Sequence, residues 1–243
     1  MLALPLVRPP MQTRQVLPAL STALLALAWL AAGPAAAAQL AGRIGFVDKE
    51  GKPYSGEADP RHAVAYFEPA TSRPVRAASQ PVEMDTKGKA FRPLVLAVSR
   101  GSTVRFPNLD PILHNVFSVS GDNRFDLGLY SKGPGKAWTF NAPGVVRVFC
   151  NVHHQMVGYL LVLDTHHFAA ADGEGRFTLA GLPEGGGKLT VWHPQADPWT
   201  AEIRHGAAAP LSVRLAITRE RVPPHLNKFG RAYERGRRDR YDG

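Results

Sequence analysis

Residues 144–163 have the sequence GVVRVFCNVHHQMVGYLLVL, in which two apolar runs enclose a short polar segment. The runs at 144–149 and 158–163 are rich in Val, Leu and aromatic residues and have the length of β-strands. We therefore predict two strands joined by a loop. That loop begins with Cys150, the only cysteine of the chain.

The same alternation of short apolar runs and turns extends in both directions. From Gln39 onward, runs rich in Val, Phe, Tyr and Thr are separated by clusters of Gly, Pro, Asp and Asn, without a sustained helical period. We therefore predict an all-β fold. The predicted strands are 43–47, 63–67, 94–98, 103–106, 115–118, 137–140, 144–149, 158–163, 176–179, 188–192, 201–204 and 211–217.

Composition and charge exclude several classes of protein. The chain has 243 residues, is 44% hydrophobic and 20% charged, and contains 23 Gly and 21 Pro, as expected of a folded, loop-rich globular protein. One cysteine excludes a scaffold of internal disulfides. The formal charge of +9 is uneven, since residues 219–243 hold eight Lys or Arg and four Asp or Glu. We interpret this basic tail as a solvated segment, or as one that docks an acidic partner or membrane headgroups.

The basic residues do not indicate a nucleic-acid partner. They are not interleaved with stacking aromatic residues on a strand platform, which is the pattern of single-stranded nucleic-acid binding. We therefore expect no nucleic acid among the partners.

The N-terminus has the features of an export signal. Arg8 and Arg14 precede an apolar run at 24–32, and alanines follow at 35–38. This order predicts a secretory signal peptide over residues 1–38, cleaved before Gln39. The apolar run is short for a membrane span, so we expect a periplasmic protein without stable membrane insertion after cleavage.

The loop after 144–149 carries the residue types of a copper site. Cys150, His153 and Met156 follow one another at intervals of three residues. Soft sulfur suits Cu(I), imidazole suits both oxidation states, and blue-copper centres combine two His, one Cys and a weak Met. His114 is the best candidate for the second histidine, because it immediately precedes a predicted strand. His154, directly after His153, is a possible competitor for the metal.

Asn115 is predicted to support this site from the neighbouring segment. Its side chain can hydrogen-bond across to the cysteine loop near Asn151 and hold the two ligand segments in register.

Other interpretations of these residues are less specific. A lone cysteine on an apolar strand is usually a buried small hydrophobe, but a His and a Met at this spacing favour copper. A second metal at the His166–His167 pair is conceivable, although ordinary loop histidines explain the pair as well. The remaining isolated histidines are expected to face solvent: His62, His205 and His225.

Residues 87–164 resemble the cupredoxins, and the C-x-x-H-x-x-M loop resembles that of amicyanin and its relatives among methylamine-utilisation proteins. The resemblance implies a Greek-key β-sandwich and one type 1 copper held by His114, Cys150, His153 and Met156. It also implies electron transfer through an exposed edge of His153. The segments that carry the resemblance are Phe91-Arg92-Pro93, Gly101-Ser102-Thr103-Val104, His114-Asn115-Val116 and Pro143-Gly144 leading to Phe149-Cys150. The residues expected to line the exposed edge of His153 are Pro111, Leu113 and Val157.

The flanking segments resemble a carboxypeptidase regulatory-like domain, a small transthyretin-like β-sandwich. The matching turns run from Asp48 to Pro53 and from Asp172 to Phe177, followed by Leu182-Pro183 with Gly185. The resemblance implies that the cupredoxin sandwich is inserted into, or packed beside, this second sandwich. The expected boundaries are 1–38 for the signal peptide, 39–80 and 165–218 for the split sandwich, 81–164 for the cupredoxin domain and 219–243 for the basic tail.

The ligand set indicates a carrier and not an enzyme. Four protein ligands leave no open position on the metal for a substrate. We therefore expect single-electron exchange, and the resemblance implies a c-type cytochrome or a quinoprotein amine dehydrogenase as redox partner. The alternatives are a periplasmic copper carrier or sensor, and a binding module in which the copper is structural.

Overall fold

The fold is taken from a computed structural model that describes residues 38–71, 74–204, 210–219 and 221–233. The predicted signal peptide, apart from Ala38, lies outside the described residues, as does His205. Two short 3-10 turns, Pro60–His62 and Gly121–Asn123, accompany the strands. The strands are β1 Ala38–Val47, β2 Val64–Pro69, β3 Val82–Glu83, β4 Asp85–Thr86, β5 Phe91–Arg92, β6 Val95–Ser99, β7 Thr103–Asn108, β8 His114–Ser118, β9 Phe125–Tyr130, β10 Gly133–Thr139, β11 Gly144–Phe149, β12 Val157–Leu163, β13 Phe168–Ala170, β14 Arg176–Leu182, β15 Gly187–Trp192, β16 Trp199–Ile203 and β17 Leu211–Ala216.

These strands form four sheets, which confirms the predicted all-β class. Sheet 1 has the order β14-β1-β17, and sheet 2 has the order β13-β2-β15-β16. Sheet 3 has the order β6-β12-β11-β8-β9, and sheet 4 has the order β10-β7-β4-β5 with β3 also paired to β7. Sheets 3 and 4 therefore use strands between residues 82 and 163, whereas sheets 1 and 2 combine strands from both sides of that segment. Within the described residues, no helix is long and apolar enough to cross a membrane.

Two sandwiches arise because each pair of sheets shares an apolar core. Sheets 3 and 4 enclose one core, to which Phe106 of β7 and Leu160 of β12 contribute. Sheets 1 and 2 enclose another, to which Ile44 of β1 and Leu189 of β15 contribute. Cys150 lies in the first of these cores, so the metal loop is anchored in the interior of its sandwich.

A third apolar cluster joins sheet 2 to sheet 3. All seven residues of β12 are buried, because both faces of this strand are covered. Alternate side chains point to opposite faces, so Leu160 faces sheet 4 whereas Tyr159 and Leu161 pack with Trp192 of sheet 2. The sheets are therefore stacked in the order 1, 2, 3, 4, with apolar side chains in every interface. The predicted domain boundaries and the regulatory-like identity of the flanking segments stay predictions.

Each predicted strand overlaps an observed one, and five observed strands were not predicted. β3, β4 and β5 contain only two residues each, too few to produce an alternating pattern. β13 is a three-residue strand with no fully buried position. In β9, Gly128 has a positive φ of 69° and interrupts the apolar alternation of Phe125 and Leu127.

Candidate metal centre

Three of the four predicted ligands meet at one end of sheet 3. His114 begins β8, Cys150 directly follows β11, and these strands are neighbours, paired at Phe117 and Phe149. The Cys150 Sγ atom lies 3.8 Å from His114 Nδ1 and 3.7 Å from His153 Nδ1, and the two Nδ1 atoms are 3.1 Å apart. All donor atoms of the trio lie within 4.8 Å of one another, and all three residues are buried. The strand ends thus bring the distant histidine to the cysteine loop, as the sequence predicted.

Met156 closes the same loop. Its backbone N–H donates to the carbonyl of His153 at 2.9 Å, which forms a turn immediately before β12. The Met156 side chain is buried and packs in the same apolar core as Cys150. The four predicted residues therefore form a possible metal site. Two imidazoles, a thiol and a nearby thioether are donors that suit copper.

Asp110 orients His114, a role that the sequence analysis missed. The Asp110 Oδ2 atom lies 2.8 Å from His114 Nε2, and its carboxylate also accepts the amides of Gly88 and Lys89 at 2.7 and 3.0 Å. Burial alone would raise the pKa of Asp110, but the two amides and His114 lower it on balance. The ionised Asp110 carboxylate can only accept a hydrogen bond, so His114 Nε2–H is the donor. The lone pair on His114 Nδ1 therefore faces Cys150.

A closed ring of four hydrogen bonds lies beside Cys150. Asn151 N–H donates to Asn115 Oδ1 at 3.3 Å, which is the predicted link between the two ligand segments. Asn115 Nδ2 donates to Asp126 Oδ1 at 2.7 Å, and Lys228 Nζ donates to Asp126 Oδ2 at 2.7 Å. Lys228 N–H donates to Asn151 Oδ1 at 3.1 Å and completes the ring. This ring ties the cysteine loop to β8, β9 and the C-terminal segment.

The backbone of Asn115 also contacts the cysteine directly. Its N–H donates to Cys150 Sγ at 3.5 Å. Hydrogen bonding around the cysteine sulfur is one of the factors that set the potential of a copper–thiolate centre. Tyr130, paired with His114 in the sheet, donates its hydroxyl to the Phe106 carbonyl at 3.0 Å. Burial, and secondarily the charge of Cys150, raise the pKa of this hydroxyl.

Residues 221–233, called the strap below, pack across the metal loop. The His225 ring stacks on Phe149 with centroids 4.0 Å apart and planes at 11°. The Tyr233 ring lies 5.5 Å from that of His154. Burial, followed by the charge of Cys150, raises the pKa of Tyr233 to about 12. The interpretation of the whole tail as solvated, and of His225 as facing solvent, is wrong for this segment.

The prediction that the edge of His153 is exposed is also wrong. His153 is only 4% exposed, and Val157, expected to line the exposed edge, is buried. Pro111 is exposed and Leu113 is half-buried. The strap contacts Asn151 and His154, which precede and follow His153 in the sequence. His154 stands beside Tyr233, and His153, not His154, belongs to the group of close donor residues with His114 and Cys150.

His62, His166, His167 and His193 lie outside the group of close metal donors. The His166 and His167 rings are 4.1 Å apart and line a cavity of about 190 Å³ together with Glu68 and Asp164. His62 is half-buried, with its ring 6.3 Å from that of His193. Among the residues that the structure describes, only His114, Cys150 and His153 form a group of three close metal donors.

Two signals in the sequence could have revealed the missed residues. Asp110 precedes His114 by four positions, with Pro111 between them, as in a turn that brings an acid back to a strand end. The basic tail contains the aromatic rings of His225 and Tyr233, which pack against Phe149 and beside His154.

Comparisons with known proteins give matches to solved structures over part of the chain. No family model matches, and no curated protein matches. Among solved structures, a purple cupredoxin from Nitrosopumilus maritimus is 23% identical and covers 34% of this chain and 99% of its own, with a TM-score of 0.31. A reduced amicyanin mutant is 23% identical and covers 41% and 98%, with a TM-score of 0.33.

An enzyme is also among the similar structures. The Cu-containing nitrite reductase (NirK) from Thermus scotoductus SA-01 is 23% identical, and the match covers 49% of this chain but only 28% of that one, with a TM-score of 0.33. At these identities and TM-scores, the function of the chain has to be judged from its own residues.

Proposed function

We propose that this chain is an exported type 1 copper protein that carries single electrons between redox partners. The observation that carries the proposal is the buried trio of His114 Nδ1, Cys150 Sγ and His153 Nδ1, with all donor atoms within 4.8 Å of one another. Met156, on the same loop, would supply the weak fourth ligand that such centres use.

The donor set and its surroundings favour electron exchange over substrate turnover. Copper bound here would cycle between Cu(I) and Cu(II). His114 is held by Asp110, and Cys150 is held by the Asn115 amide, so the ligands are oriented before the metal arrives. The three donors and Met156 are buried, which favours a closed metal site over one open to a substrate.

The test is the spectrum of the purified protein with copper added. Type 1 coordination predicts an intense visible charge-transfer band and a characteristic electron paramagnetic resonance spectrum. Cys150→Ser should abolish the band, whereas His154→Ala, next to a ligand but outside the donor cluster, should retain it. A spectrum unchanged by Cys150→Ser would refute the site.

Electron transfer and copper delivery differ in what happens to the metal. Reversible cycling with copper retained supports an electron carrier, whereas ready transfer of Cu(I) to a chelator supports a copper carrier or sensor. The burial of His114 and Cys150 favours retention. A periplasmic location and a c-type cytochrome or quinoprotein amine dehydrogenase as partner belong to the same proposal. Fractionation of the source cells tests the location.

A further inference from the structure

The strap bears the two most exposed large apolar side chains among the described residues. Phe229 is 72% exposed and Leu226 is 51% exposed. Large aromatic residues that stand free on a surface commonly provide the central contacts of protein interfaces. These two side chains flank Lys228 and His225, whose contacts with Asn151 and Phe149 join the strap to the metal loop and the strand before it.

A tight turn fixes the position of Phe229. The Asn227 Oδ1 atom accepts the amides of Phe229 and Arg231, each at 3.0 Å, and Asn227 N–H donates to the Arg231 carbonyl at 2.8 Å. Gly230 completes the turn with a φ of 74°, which glycine adopts without strain. The exposed ring is therefore presented by an ordered backbone, which lowers the entropic cost of docking.

A short bonded route joins the metal loop to this ring. Cys150 is covalently linked to Asn151, whose Oδ1 accepts the Lys228 N–H at 3.1 Å, and Lys228 is covalently linked to Phe229. Electrons tunnel more readily through covalent and hydrogen bonds than across gaps. The route contains one hydrogen bond and no jump through space.

We infer that Phe229 and Leu226 form the docking surface for a redox protein whose contact surface is apolar and rimmed by carboxylates. Residues 229–243 hold five Arg and three Asp or Glu, and this net positive charge attracts an acidic partner. The inference rests on the proposed electron-transfer function. In the transfer, one electron leaves the reduced protein and converts the partner's haem Fe(III) to Fe(II), while no bond forms or breaks and no proton moves.

The experiment uses a purified acidic c-type cytochrome as the probe. Its affinity for the copper-loaded protein is measured by titration calorimetry, and the rate of haem reduction is measured by stopped flow. Phe229→Ala should weaken binding and slow reduction by about tenfold or more. The control is Val145→Ala, which truncates an exposed apolar residue of β11 outside the strap and should change neither value by more than about twofold. Binding of the wild type should weaken as salt is added.

Ferricyanide separates this inference from the proposed function, because a small oxidant needs no protein docking surface. If ferricyanide restores the visible band of the reduced protein but Phe229→Ala binds and reduces the cytochrome like the wild type, the docking surface is overturned and the electron carrier stands. The docking surface is also overturned if binding of the wild type does not depend on salt, or if Phe229→Ala reduces the haem faster than the wild type. If ferricyanide fails to restore the band, the proposed function itself fails.

Discussion

The Nε2 atom of His114 lies 2.8 Å from the Oδ2 atom of Asp110, four residues earlier in the chain. The same carboxylate is fixed by the amides of Gly88 and Lys89, so it is already in place when it receives the imidazole. An acid outside the ligand set therefore decides which nitrogen of His114 faces Cys150.

Asp110→Asn should lower copper affinity by roughly 10- to 100-fold. An amide presents an NH2 group either to His114 or to the two backbone amides, so it cannot accept from all three donors as the carboxylate does. Competition with a Cu(I) chelator measures the effect. Asp164→Ala is the control, because Asp164 pairs with Arg100 at the surface and should leave the affinity unchanged. Equal affinities for Asp110→Asn and the wild type would contradict the orienting role.

Asn115→Ala should disturb both the copper spectrum and the stability of the protein. The substitution removes the acceptor of the half-buried Asn151 amide and a donor to the half-exposed Asp126, and each such hydrogen bond contributes about 0.5–1.5 kcal/mol. Denaturant unfolding and the visible spectrum measure the two effects. Asn141→Ala, at an exposed position, serves as the control. Unchanged copper affinity and spectrum in Asn115→Ala would count against the ring as a support of the site.

Acidification should destabilise the protein through His193. Burial lowers the pKa of this histidine to about 4. Its Nδ1 accepts the Gln195 amide at 3.2 Å and its Nε2 lies 3.3 Å from the Asp59 carbonyl, an arrangement that suits the neutral ring. The unfolded chain takes up this proton near pH 6.5, so the stabilisation is complete above pH 6.5 and is lost as the pH falls towards 4. The loss amounts to about 3 kcal/mol.

The measurement is the free energy of unfolding of the wild type and of His193→Gln between pH 7 and pH 4. Other groups titrate in both proteins, so the difference between the two curves isolates His193. The variant should be less stable at pH 7 and should lose less stability on acidification. Parallel curves would show that His193 does not cause the pH dependence.

The apolar interface between sheets 2 and 3 should make the two sandwiches unfold together. Leu161→Ala removes buried contacts in that interface and should cost about 2–5 kcal/mol, as should Leu160→Ala on the opposite face of β12. The copper band reports sheet 3, and in a Trp138→Phe background, which removes the tryptophan of β10, the fluorescence of Trp192 and Trp199 reports sheet 2. Both signals should shift to the same lower denaturant concentration in both variants. Two separate transitions would show that the interface does not couple them.

Local patterns in the sequence predicted most of the strands. They also selected the three residues that the structure brings together as a possible metal site. The alternation in 144–149 and 158–163 is strong because both strands lie in a packed core, and Cys150 and His153 fall on the loop between them. His114 could be chosen because it precedes a strand, and adjacent strands bring their ends together. These features depend on spacing along the chain, which the sequence contains.

Features that depend on distant packing could not be predicted in this way. Nothing local to residues 150–156 indicates that His153 is buried or that Asn151 bonds to Lys228, 77 residues later. The uninterrupted apolar run of β12 is compatible with a single core, and only the contact of Tyr159 with Trp192 shows that a second sheet covers it.

The strap lies far along the chain from the loop that it covers. Lys228 and Asn151 are 77 residues apart, so the residues of the metal loop are synthesised well before the segment that closes over them. At about 5–20 residues per second, this interval lasts roughly 4–15 seconds. During that time the donor residues of a growing chain lack their cover. The contact between strap and loop is therefore a late one, which forms only after residue 228 has been synthesised.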